Sequence, residues 1–204
     1  MNKLWLALLA VVVLGYCVLT RPRSSGTADP VDWSAEPVQT DTDRAPFEVG
    51  SGKDRLTLDP KATFDISAVV AHDEHYRFDD GAFLVPVDLV MTWGKLPEEP
   101  YKSKVSYGQM ARYYFWRTPS SDLDLHYIKS HSANEHMIPA DGNVRRALLA
   151  ASRGDRVRIQ GLLVNAHRED GFHWASSLTR EDDGPGACEL VWVESIQIGR
   201  KVYR

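Results

Sequence analysis

Beyond residue 62 the apolar residues of this chain alternate with a period of two far more often than they recur every three or four. That restricts the fold to one built mainly from strands. Residues 64–70 (FDISAVV) alternate and then run apolar, and Asp79-Asp80-Gly81 reads as a turn. Residues 83–92 (FLVPVDLVMT) follow as a second strand, with Pro86 marking an edge or a bulge. Residues 110–117 are dense in aromatics, and residues 123–128 alternate again. In residues 154–164 (GDRVRIQGLLV), Val157 and Ile159 share one face, and Gly161 marks a bulge or a sharp bend. Asp170-Gly171 turns the chain into residues 172–178. In the last strand, residues 190–198, Val191 and Val193 fall on one parity and Ile196 and Ile198 on the other. A bulge near Glu194-Ser195 turns all four inward and leaves Glu194 in solvent. One helix is expected, with Asn143 as N-cap, 144–152 as its body and Gly154 as its end.

Strands, a helix, a Gly-Asp-x-Val-x-Ile-x-Gly strand, a hairpin and a final strand form an order that resembles a small OB-like barrel, whose helix sits between its third and fourth strands. The expected class is therefore mainly β, an OB-like barrel with one helix over residues 63–204. Residues 21–62 carry Pro22, Pro30, Pro37, Pro46 and Pro60 without strand or helix periodicity, and read as a disordered tether. The chain has two cysteines, and Cys17 lies inside the apolar N-terminal run. Cys188 thus lacks a partner in the rest of the chain, which excludes a disulfide framework and a zinc site built on cysteine pairs.

Residues 4–19 (LWLALLAVVVLGYCVL) are uncharged, between Lys3 and Arg21-Pro22-Arg23. At ~1.5 Å per residue they reach ~24 Å, and the flanking basic side chains can snorkel to make up the span. An uncleaved signal-anchor over residues 1–20 fits better than a cleaved signal peptide ending near Gly26-Thr27-Ala28 or a lipoprotein signal at Cys17, which Tyr16 opposes. The expected location is a single pass through a bacterial inner membrane at residues 4–20, with the C-terminal domain in the periplasm. The formal charge of −4 gives no general attraction to nucleic acid or to anionic lipid.

Polar residues crowd residues 131–140 (HSANEHMIPA), read as a loop between a strand and the helix. His131, Asn134 and His136 are candidates to line a polar pocket for an anionic group or a metal ion, because imidazole titrates near neutrality. Ser177, Thr179 and Arg180 are candidates to join them from the next barrel segment. The competing reading makes these side chains turn-forming or scaffolding groups. His72-Asp73-Glu74-His75 and Asp182-Asp183-Gly184-Pro185-Gly186 read as solvated, and the second lacks the ligand spacing of a calcium loop. Arg145, Arg146, Arg153, Arg156 and Arg158, with the aromatics at 113–116, raise nucleic-acid binding, which the acidic total and the expected export oppose. No metal set and no cofactor motif emerges. The expected role is binding or assembly, with a protein or a small anionic ligand as partner. The alternative is a periplasmic hydrolase or transferase using His131, His136 or Cys188. A sortase-like arrangement around Cys188 lacks the residues expected before the cysteine and a well-placed downstream arginine.

The strings HSANEHMIPA, GDRVRIQGLLV and WASSLTREDDGPGACELVWVE are similar to a family of uncharacterised, membrane-anchored bacterial proteins. This resemblance covers about a third of the chain. It implies the compartment and no chemistry.

Overall fold

In the computed structural model the described residues are 5, 20–180, 182, 184 and 186–204, with Lys53 described by its backbone alone. The expected membrane span lies almost wholly outside them. Among the described residues no helix is long and apolar enough to cross a membrane.

Twelve strands alternate with three short helices among the described residues. They are β1 (Gly26–Thr27), β2 (Val38–Asp41), β3 (Phe47–Val49), β4 (Leu56–His75), β5 (Val87–Thr92), α1 (Tyr101–Lys104), β6 (Ser106–Met110), β7 (Tyr113–Arg117), α2 (Leu125–Ser130), β8 (Ser132–Pro139), α3 (Gly142–Leu148), β9 (Arg156–His167), β10 (His173–Trp174), β11 (Glu189–Ile198) and β12 (Lys201–Tyr203). Five of these close on themselves. Strand β4 pairs antiparallel with β5, β5 with β8, β9 with β4 and β11 with β9, while β8 and β11 run parallel. The molecule is thus mainly β, with its main sheet closed.

The alternating residues dictate this closure. Phe64, Ile66, Ala68 and Val70 of β4 meet Leu89 and Met91 of β5, Val157 and Ile159 of β9, and Val191 and Val193 of β11 in one buried cluster. Helix α3 packs Val144, Ala147 and Leu148 into the same core. Register shifts between Val193 and Ser195, so Ile196 returns to the core after Val193 and Glu194 stays exposed, as the parity break requires. Ile198 packs half-buried at the core's edge. Gly161 lies opposite this bulge, where a Cβ would sit 1.8 Å from the Trp192 carbonyl oxygen. Close approach of two strands, rather than a bend, is what requires glycine there.

Several expectations are corrected. The boundary at Thr63 falls inside β4, and Leu56 and Leu58, both fully buried, belong to a second cluster with Val164 and Leu190. A strand of 20 residues outruns its partner β5, and its free edge is covered by β2 and β3 from the stretch read as a tether. The side chains of β2 are mostly exposed, and β3 sets only Phe47 and Val49 half-buried against the second cluster, a stretch too short to read as alternation. Strand β1 pairs with β12, and Arg44 forms an ion pair with Glu194. Residues 83–86 precede β5 rather than belonging to it. Residues 125–130 form a helix because Asp124 caps it, accepting from the Tyr127 backbone N–H. Asp141, not Asn143, caps α3, accepting from Asn143 N and Val144 N. Asn143 instead ties Arg23 to the carbonyl of Arg204.

The largest correction concerns residues 131–140. Residues 132–139 are β8, a central strand of the closed sheet, and not a connecting loop. Both of its faces are buried, so its polar residues hid the alternation.

Candidate functional site

Because β8 is a strand, its side chains divide between two faces. Asn134 and His136 face outward with Ser132, under the β6–β7 hairpin. Glu135 shares the inward parity of Ala133 and Met137.

The outward face is closed by the hairpin. Ala111 and Arg112 both have positive φ, the two-residue left-handed turn that suits hairpin twist. Gln109 donates to Asn134 Oδ1 at 2.6 Å and lies 2.9 Å from His72 Nδ1, and Asn134 donates to the Arg112 carbonyl. The Arg112 guanidinium grips Asp79 with two hydrogen bonds, reaches Asp88 Oδ1 at 3.2 Å and stacks 3.8 Å from the Tyr76 ring. That pairing holds the Asp79 carboxyl below its usual range. His136 Nδ1 lies 2.9 Å from the same Asp88 oxygen, at an angle that makes no hydrogen bond, and Asp88 Oδ2 has no partner. Trp174 meets the His136 ring edge-on at 4.8 Å.

On the inward parity of β8 and β11 lies a different cluster. Glu135 and Glu189 are register partners on the parallel strands β8 and β11. Both are buried, and Glu135 Oε2 and Glu189 Oε2 have no hydrogen-bond partner. Burial, reinforced by the charge of Glu189 and opposed by Arg180, pushes the Glu135 carboxyl well above the usual range. Burial, opposed by Arg180, pushes Glu189 up to about 8. The Arg180 guanidinium reaches in from the loop after β10, 5.7 Å from the Phe64 ring and 6.0 Å from Trp93. Its buried Nη2 has no hydrogen-bond partner.

Two clefts meet at Cys188. One, of about 370 Å³, runs between the hairpin residues 113–116 and Arg180, Asp182, Ala187, Cys188 and Glu189. The other, of about 480 Å³, is lined by Arg112, His136, Trp174 and Cys188 among others. Asn134 Nδ2 lies 3.7 Å from the half-buried Cys188 sulfur. Burial pushes that thiol up to about 12; the Asn134 hydrogen bond opposes this, and the carboxylates Glu189, Asp88 and Glu135 add to it.

Of the residues singled out from sequence, His136, Arg180 and Cys188 border this pair of clefts, Asn134 reaches them only through its contact with Cys188, and His131 does not border them. His131 ends α2, stacked 3.7 Å from the Tyr127 ring, with Nε2 2.9 Å from Glu36 Oε1. Glu36 also accepts from Trp93 Nε1, so His131 helps fasten the 21–62 stretch to the barrel. Ser177 and Thr179 form a local turn: Ser177 Oγ donates to the Thr179 carbonyl and to Asp182, and accepts from Thr179 N. Glu189, Asp88 and Arg112 were missed, and Glu135 was noted only as part of the polar stretch. The signal for the two glutamates was parity, since each shares the register of inward apolar neighbours, Glu135 with Met137 and Glu189 with Val191. Among the described residues no group of three or more His, Cys, Asp or Glu is placed to hold a metal ion. Comparison with protein-family models, curated proteins and solved structures finds no match for the chain.

Proposed function

We propose that this chain is a membrane-anchored, extracytoplasmic binding module built on an OB-like barrel. The strand circuit supports the OB-like reading. Taking the five barrel strands in chain order, the first pairs with the second and fourth, the second with the third, and the fifth with the third and fourth, and the helix lies between third and fourth. The uncharged run 4–19 supports the anchor and the location.

The observation that carries a binding role is the state of the cleft beside Cys188. Its thiol is pushed up to about 12 by burial and by neighbouring carboxylates, and none of the described basic side chains that line the clefts lowers it. His131 is committed to Glu36 and Tyr127, and His136 faces Asp88 under the hairpin. What the cleft offers instead is an aromatic wall, a buried guanidinium N–H and the buried Glu189 carboxyl oxygen without a partner, which is the equipment of a recognition site. A hydrolase or transferase reading has less support from the same residues.

Complementation of a deletion strain by the full chain tests this. Cys188→Ser and His131→Gln are expected to restore function, whereas the pair Tyr113→Ser with Phe115→Ser, both on the exposed hairpin face, is expected to fail at normal protein levels. Loss of function with Cys188→Ser alone would overturn the binding reading in favour of a nucleophile.

A further inference from the structure

Glu135 and Glu189, on the paired strands β8 and β11, and Arg180 carry three buried polar atoms with no partner: Glu135 Oε2, Glu189 Oε2 and Arg180 Nη2. Leaving such groups unsatisfied in a folded protein costs free energy, and a buried charge without a counter-ion costs more. Arg180 has no carboxylate within 4 Å among the described residues. Asp182, which also borders the cleft, accepts from Ser177 Oγ instead. Glu189 and Arg180 both border the cleft of about 370 Å³, so these two orphaned groups face space that a molecule can enter, while Glu135, the register partner of Glu189, does not line it. Lys129 adds a second basic side chain to that lining, and Tyr113, Tyr114, Phe115 and Trp116 supply an apolar wall.

We propose that this cleft binds a carboxylate carried on an apolar body, with Arg180 as its cationic contact and the Glu189 carboxyl as a hydrogen-bonding partner. The planar guanidinium fork matches a carboxylate's two oxygens. At about pH 6.5 Glu189, pushed up to about 8 by burial, is largely an uncharged acid with an O–H to donate, and burial pushes Glu135 in the same direction. The bound anion supplies the counter-charge that no described residue places within 4 Å of Arg180. As Glu189 ionises with rising pH, its negative charge satisfies Arg180 and repels the ligand, so binding weakens. A cationic ligand would show the opposite trend, because ionised glutamates attract it. The assignment rests on the binding reading above and specifies its chemistry.

The test is calorimetric titration of the full chain, in non-ionic detergent micelles, with benzoate, benzylamine and inorganic phosphate. Benzoate is expected to bind saturably at about pH 6.5 and about tenfold more weakly at about pH 9, following the titration of Glu189. Arg180→Gln is expected to abolish binding while its thermal unfolding remains cooperative, and Arg180→Lys to restore a part of it. Glu189→Gln is expected to cut the pH dependence to about threefold or less. No benzoate binding at the lower pH, equal binding at both, or binding of benzylamine or phosphate in its place would overturn the proposal. If benzoate fails while the Tyr113→Ser, Phe115→Ser chain still loses function in cells, the carboxylate assignment falls and the binding reading stands.

Discussion

Arg112 joins more of the site than any other single side chain. From a turn that only a left-handed backbone can make, it pairs with Asp79 and Asp88, donates to the Val85 carbonyl and stacks on Tyr76 and Trp174. Asp88 is fully buried, so removing Arg112 leaves a buried carboxylate without its cation. Arg112→Ala is expected to cost about 3 to 5 kcal/mol in urea unfolding, with little rescue by Lys, whose point charge cannot span two carboxylates. A loss under about 1 kcal/mol would show that the pairing is cosmetic. Glu189 supports a second expectation. Its folded-state value of about 8 lies above the ordinary 4.5, so its contribution to stability is full below pH 4.5 and is lost as pH rises through about 8. The wild-type protein should therefore lose stability across that window, by roughly a few kcal/mol, and Glu189→Gln should flatten the slope. An unchanged slope in the variant would contradict the buried, protonated glutamate. None of the three groups stood out in sequence, because an isolated Arg or Glu carries no pattern until its strand's parity is known.

At the scale of elements, legibility followed the burial of side chains. Strand β11 was readable to the level of its bulge, because apolar residues on both sides of Glu194 demand the same face. Strand β9 and the turn at Gly171 were readable for the same reason. By contrast, β2 holds its place by backbone pairing along the edge of β4 with mostly exposed side chains, and β3 is only three residues long, too short for the half-buried Phe47 and Val49 to show a pattern. Strand β8 failed differently. Its outward residues are polar because they bond to a hairpin arriving from elsewhere in the chain, a contact that local pattern cannot reveal. The long strand gives a direct test, since Leu56 and Leu58 are buried and Ala62 to Val70 line the core. A chain beginning at Thr63 is expected to lose cooperative unfolding, whereas one beginning at Arg21 keeps it. Equal cooperativity in the two would return residues 21–62 to the role of a tether.

Across the whole molecule, the stretch expected as a tether wraps the barrel from end to end. Arg23 is tied by Asn143, β1 pairs with β12, Glu36 bonds His131 and Trp93, Arg44 meets the bulge at Glu194, and β2 and β3 pair with β4. In sequence only a few residues separate the uncharged run 4–19 from Arg23 and β1. The proposed anchor and the proposed extracytoplasmic location of the barrel are tested together by one measurement. Intact spheroplasts expressing the full chain are treated with protease, and the fragments are sized and sequenced from their N-termini. The expected result is release of a resistant fragment that begins within residues 21–25 and runs to Arg204. Protection of the full chain until the membrane is lysed would contradict the location, and a fragment beginning beyond residue 55 would contradict the wrapped barrel.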